Sequence, residues 1–193
     1  MSKTLLITGG STGIGASTAK KALQLGYNVI ASARSQINLD KLKTEINNPN
    51  FEVFACDVAD FKSLIALKDF VLSKFGGVDV VFANAGFAAG SRSYLDGDTP
   101  DEWKDMVLTN VYGVALTTNV FLKELFKTKG QLILTSSVVG RVTPPGSFYS
   151  ATKWAVCAMG DSIRKEMIGK GVKSNFDRAW SCRYTFLGRR HQA

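Results

Sequence analysis

A short apolar run, Lys3-Thr4-Leu5-Leu6-Ile7-Thr8, breaks into Gly9-Gly10-Ser11-Thr12-Gly13-Ile14-Gly15 and continues into a helix-like stretch from Ala16 to Leu25. The pattern is strand, glycine turn, helix. Gly9, Gly13 and Gly15 lack the Cβ that would keep backbone away from a pyrophosphate. The helix start beyond them offers unpaired N–H groups and the positive end of a dipole. A diphosphate could be held there with no charged side chain, and Ser11, Thr12 and Ile14 belong to the same turn. Tight turns also use glycine for structural reasons, so the weight of the motif comes from its place at the head of an alternating strand and helix pattern.

That pattern runs on without repeats or a linker. Asn28 to Ala33 is expected as a second strand, Asn38 to Ile46 as a helix and Phe51 to Ala55 as a third strand. Phe61, Leu64, Ile65, Leu67, Phe70 and Val71 fall at helical spacing between Phe61 and Phe75, and Gly76-Gly77 closes that helix. Val78 to Ala83 is a fourth strand, Asp98-Thr99-Pro100 offers helix caps, Val107 to Phe126 is a long apolar-faced segment, and Gln131 to Ser136 is a fifth strand. Continuously apolar strands between helices imply one α/β domain with a parallel sheet covered on both faces and ligands over the carboxyl ends of its strands.

Tyr149 and Lys153 stand four apart in Phe148-Tyr149-Ser150-Ala151-Thr152-Lys153-Trp154, so a helix puts phenol and ammonium on one face. Bringing a phenol from about 10 to about 7 takes roughly 4 kcal/mol, and a neighbouring cation supplies roughly 1 to 3 pH units of that. Lys153 is expected to provide much of it. A solvated helix face could carry the same pair.

The net charge of +8 comes from scattered basic residues, and the stretch after Lys173 holds four arginines against one aspartate. No clustered basic helix accompanies the charge, so no nucleic-acid partner is expected. The 193 residues contain no apolar run long enough to span a bilayer, and the amino terminus is too short in apolar residues before its glycines for a secretory signal. Cys56, Cys157 and Cys182 are odd in number and widely spaced, which fits reduced thiols in a cytoplasmic protein and no metal cluster.

Taken together, the motifs resemble those of the short-chain dehydrogenase/reductase family. Its T-G-x-x-x-G-x-G pattern is matched from Thr8 to Gly15, its N-A-G by Asn84-Ala85-Gly86, its helix asparagine by Asn110, and its catalytic serine, tyrosine and lysine by Ser137, Tyr149 and Lys153. The resemblance runs from Lys3 to about Lys173. It implies a Rossmann-like, doubly wound sheet and hydride exchange between a nicotinamide and a carbonyl or alcohol carbon. Tyr149 would exchange the proton, Ser137 hold the substrate oxygen, Lys153 bind the nicotinamide ribose, and Asn110 hold its helix open for a relay water. Asp57 and Val58 match the family's adenine contacts, although Asp57 before a helix also reads as a cap. Ala31-Ser32-Ala33-Arg34 at the end of the second strand offers no carboxylate for a ribose 2′-hydroxyl, and Arg34 suits a 2′-phosphate, so NADP is expected over NAD. Phe87, Val139, Val142 and Pro144 suggest an apolar substrate pocket. Ala151, Trp154, Ala155, Ala158 and Met159 form a stripe that suits either a homodimer or homotetramer contact or an internal core.

Beyond Lys173 the resemblance stops. Ser174 to Ala193 shows no strand alternation and no P-G turn, so residues 1–173 are expected to form the domain and 174–193 an irregular tail, without the family's last two strands and with Leu132, Ile133 and Leu134 on an unpaired edge. The codons these residues permit, read one base later, can spell Lys-Val-Thr-Ser-Ile-Ala-Pro-Gly-Arg-Val-Asp-Thr-Pro-Phe, which is the family's continuation. A reading-frame change near Lys173, giving a truncated product, is therefore expected.

Overall fold

The computed structural model describes residues 2–90 and 93–178, the last five through their backbone alone. Apolar runs bounded by turn residues form the strands β1 (Thr4–Thr8), β2 (Asn28–Ala33), β3 (Phe51–Ala55), β4 (Val80–Ala83) and β5 (Gln131–Ser136). A sixth, β6 (Lys173–Arg178), completes a sheet of order β3-β2-β1-β4-β5-β6 in which every described pairing is parallel. All five residues of β1 are buried, as expected of a strand covered on both faces.

The covering helices begin and end at residues suited to the task. α1 (Gly13–Gln24) and α2 (Gln36–Ile46) lie on one face; α3 (Phe61–Phe75), α5 (Gly113–Thr128) and α6 (Phe148–Glu166) lie on the other. Ser35, Asp60 and Ser147 cap α2, α3 and α6 through their side chains, and Gly76 ends α3 in the left-handed region at φ 72°. α4 (Pro100–Val107) starts in a reciprocal capping box between Thr99 and Glu102. Because successive strand residues face opposite sides, Leu5 and Ile7 pack with Ala19, Leu39 and Phe51, while Leu6 packs with Leu64, Phe121 and Leu125.

Two differences from the sequence expectation stand out. The single apolar-faced segment expected over Val107 to Phe126 is split, with a π-helical turn at Leu108–Tyr112 between α4 and α5. The segment after Lys173, expected to be irregular, runs as β6 in register with β5, from Gln131↔Lys173 to Ser136↔Arg178. Parallel pairing is made by backbone groups, so the exposed N–H and C=O row of β5 can template a strand from a sequence without alternation. The expected unpaired β5 edge is thereby covered. The rest of the expected tail, residues 179–193, lies outside the described residues.

The chain runs outward from β1 to β3 and then returns to β4 on the other side of β1. This switch point opens a crevice at the carboxyl ends of β1 and β4, where loops diverge.

Candidate active site

A cleft of about 230 Å³ occupies that crevice, with Gly9, Ser11, Arg34, Asp57, Val58 and Gly86 among its lining residues. The glycine turn is shaped by close approach. Gly9 has φ +64°, and a Cβ there would stand 2.7 Å from Ala85 Cα; a Cβ on Gly15 would collide with the Gly9 carbonyl oxygen. The first turn of α1 is made by Gly13, Ile14 and Gly15. Its N-cap, Thr12, makes no side-chain cap bond, so the first N–H groups of α1 stay available to an anion at the cleft.

The turn is fastened to the neighbouring strand by hydrogen bonds. Asn84 Nδ2 donates to the carbonyls of Thr8 (3.2 Å) and Gly9 (3.1 Å), and the N–H groups of Asn84 and Ala85 donate to Thr8 Oγ1. Thr8 and Asn84 thus set the depth of the cleft floor. At its other end, Arg34 and Ser35 follow β2, with no carboxylate between Ala31 and Ser35. Asp57 uses its Oδ1 to accept from Ala59 N, while Asp60 is the residue that caps α3. The carboxylate of Asp57 therefore shapes the cleft-side turn and does not cap the helix.

The residues expected to be catalytic come together beside this cleft. Ser137, buried just beyond β5, accepts from Val139 N through its Oγ and stands close enough to the Tyr149 phenol, at the start of α6, to favour its ionised form. Lys153, one turn along α6, is 2% exposed, and its Nζ lies 5.5 Å from the Tyr149 ring centroid. Nζ donates to the Thr135 carbonyl at 2.9 Å, and a Cβ placed on Gly86 would stand only 3.3 Å from it. Lys153 thus sits directly behind the Gly86 wall of the cleft.

The charges differ from the sequence expectation. Burial pushes the Tyr149 phenol above its usual value, with the neighbouring Ser137 hydroxyl acting against it, so Lys153 alone does not acidify it. The same burial brings the Lys153 ammonium down to about 8. The i,i+4 spacing reveals proximity but not desolvation, which raises a phenol and lowers an ammonium.

Asn110 sits in the π turn and is fully buried. Its Oδ1 accepts from Phe87 N, and its Nδ2 donates to Phe87 O and to Thr152 Oγ1. From within the π turn this side chain ties the loop after β4 to α6. Of the residues expected to form an apolar pocket, Phe87 lines the cleft and is half-buried, Val139 and Pro144 are half-buried, and Val142 is exposed. Thr8 belongs to the matched glycine pattern, whereas the parts played by Thr135 and Thr152 have no signature in the sequence. Threonines at strand ends and in helices carry no signal of their own, and Thr135 serves through its backbone.

A family model described as short chain dehydrogenase matches residues 3–176. Dehydrogenase/reductase SDR family member 11 of Mus musculus is 34% identical over 173 residues, covering 84% of this chain and 66% of that protein, so the chain spans just under two thirds of its length. An alcohol dehydrogenase from the archaeon Thermococcus sibiricus, solved with 5-hydroxy-NADP, superposes with a TM-score of 0.84 at 32% identity, covering 92% of this chain and 76% of that one. A short-chain dehydrogenase/reductase from Burkholderia phymatum, solved with NAD, gives 0.85 at 25% identity, covering 91% and 64%. Relatives of the same fold thus hold either dinucleotide. With its glycine turn and Gly86 lining one cleft, Lys153 behind that wall, and the family model matching residues 3–176, the chain belongs to the short-chain dehydrogenase/reductase family of oxidoreductases.

Proposed function

We propose that this chain exchanges hydride between NADP(H) and a small carbonyl or alcohol substrate, with Tyr149 as the acid and base. The observation that supports the proposal is the position of Lys153 Nζ directly behind Gly86, a residue that lines the same cleft as Arg34. The residues present fit a dinucleotide: the glycines admit a diphosphate at the α1 start, Arg34 and Ser35 suit a 2′-phosphate, and Asp57 and Val58 border the remaining wall. When bound, the nicotinamide supplies the hydride site and a positive ring that favours phenolate over phenol.

Tyr149 passes a proton to or from the substrate oxygen, and the Ser137 hydroxyl orients that oxygen. Lys153 offers its ammonium to the ribose hydroxyls, and its charge favours the phenolate of Tyr149 against the burial that raises the phenol. Asn110 keeps the π turn open beside Lys153. Val139, Val142, Pro144 and Phe87 exclude water from an apolar substrate group. Tyr149→Phe is expected to abolish turnover across a panel of aldehydes and ketones while NADPH binding, read by fluorescence enhancement, persists. Unchanged turnover would refute the assignment.

Ala151, Trp154 and Ala158 are exposed along α6, which supports a second copy of the chain packing there in a cytoplasmic dimer or tetramer. A monomeric mass by analytical ultracentrifugation would overturn that.

A second reading is favoured by one observation, the out-of-frame match after Lys173. On it, the chain is an inactive truncated product of a longer dehydrogenase gene. The coding DNA past Lys173 discriminates the two: codons incompatible with the shifted reading remove the second. A nucleotide-binding module without turnover is a separate alternative, told apart by NADPH binding with no turnover.

A further inference from the structure

We infer that Ser136 is a positioning residue, whose buried hydroxyl grips the Lys153 backbone so that the ammonium stays docked on the neighbouring Thr135 carbonyl at the cleft wall. This rests on the function proposed above for Lys153. Ser136 is completely buried, and its Oγ donates to the Lys153 carbonyl at 3.0 Å. That carbonyl lies well inside α6, where helical geometry already gives it a donor four residues on. The added bond therefore satisfies no orphan acceptor. What it does is join the end of β5 to one residue of α6.

The same residue is held at its other end by the preceding residue of the strand, since Lys153 Nζ donates to Thr135 O at 2.9 Å. Alternation along β5 explains the pairing: the Ser136 side chain turns to α6, while Thr135 Oγ1 turns to Asn84 Oδ1 at 3.3 Å. Asn84 in turn holds the Thr8 and Gly9 carbonyls. One chain of contacts thus runs from the glycine turn to the ammonium. Gly140 permits the grip, because a Cβ there would stand 2.6 Å from Ser136 Oγ and 2.8 Å from the Lys153 carbonyl. The titratable groups facing Lys153 are Tyr149 on its own helix and Cys157, whose Sγ lies 3.1 Å from Ser136 Oγ. β5 and the π turn present Thr135 and Asn110, which do not titrate.

The test reads the ammonium directly. The protein is labelled with 13Cε-lysine, the Lys153 signal is assigned with Lys153→Met, and the signal is titrated by NMR from about pH 6 to about pH 10.5, bracketing the buried and free values. Wild type is expected to titrate near 8. In Ser136→Ala, loosening admits water, so the midpoint is expected to rise by about half a pH unit or more, and NADPH is expected to bind at least about threefold more weakly at neutral pH. Cys157→Ala leaves the Ser136 bond in place and is expected to lower thermal stability without raising the midpoint. A Ser136→Ala protein with reduced Tm but wild-type midpoint and affinity would show a packing role only and overturn the inference. A wild type that binds no NADPH would defeat the proposed function, while the lysine titration would still decide the role of Ser136.

Discussion

Replacing Lys153 by methionine should make the folded chain more stable. Lys153 is 2% exposed, and its ammonium titrates at about 8 where an ordinary lysine titrates at 10.5. At about 1.4 kcal/mol per pH unit, that displacement means that keeping the cation inside costs about 3 kcal/mol at neutral pH. Methionine has a similar length and no charge, but it leaves the Thr135 carbonyl without its donor, which costs about 1 to 2 kcal/mol. The expected net gain at pH 7 is therefore about 1 to 2 kcal/mol. Its pH dependence has a definite sign. The unfolded lysine keeps its proton up to about 10.5, whereas the folded one releases it at about 8, so between these values the unfolded chain binds more protons and wild-type stability rises with pH. The advantage of Lys153→Met should thus be constant below about pH 8 and shrink above it. Cys56 and Tyr27, both raised chiefly by burial, lower stability at the alkaline end, but they do so in both proteins and cancel in the difference. Urea unfolding followed by circular dichroism at about pH 7 and about pH 9.5 measures that difference. A methionine variant less stable than wild type at neutral pH, or a gap that does not narrow, would refute the reasoning.

Other expectations concern the cleft and its supports. Gly15→Ala would drive a methyl into the Gly9 carbonyl, and NADPH binding should weaken by at least about tenfold, as read by fluorescence titration. Arg34→Glu sets a carboxylate where a 2′-phosphate is expected, so the Kd for NADPH should rise by about tenfold or more while that for NADH changes little. Thr99→Ala breaks the capping box of α4 and should lower unfolding stability by about 1 kcal/mol without altering the cofactor affinity.

Much of the scaffold could be read from residue order, because apolar runs and turn residues carry most of the local signal. β2, β3, α3 and β5 have the bounds expected from the sequence, each flanked by polar or glycine punctuation. The glycine turn was legible because its backbone requirements exclude other residues: Gly9 has positive φ and a backbone neighbour where a Cβ would be. What stayed hidden depends on backbone groups or on burial. The Thr135 carbonyl that docks Lys153 has no side-chain signature, and the π turn at Leu108–Tyr112 changes hydrogen-bond register without changing the apolar pattern. β6 is hidden for a related reason, since its partner is the backbone of β5. The raised Tyr149 phenol follows from packing around α6, which a four-residue spacing cannot report.

The central claim is that a dinucleotide crosses from Arg34 over the glycine turn and ends between Gly86 and the Tyr149 hydroxyl. A crystal structure of the chain soaked with NADP tests it most directly. The expected result is a diphosphate on the N–H groups at the start of α1, with the nicotinamide C4 within about 4 Å of the space a substrate carbon would take beside Tyr149 Oη. Density for the nicotinamide at the Arg34 end, or no dinucleotide in the cleft at saturating concentration, would contradict it.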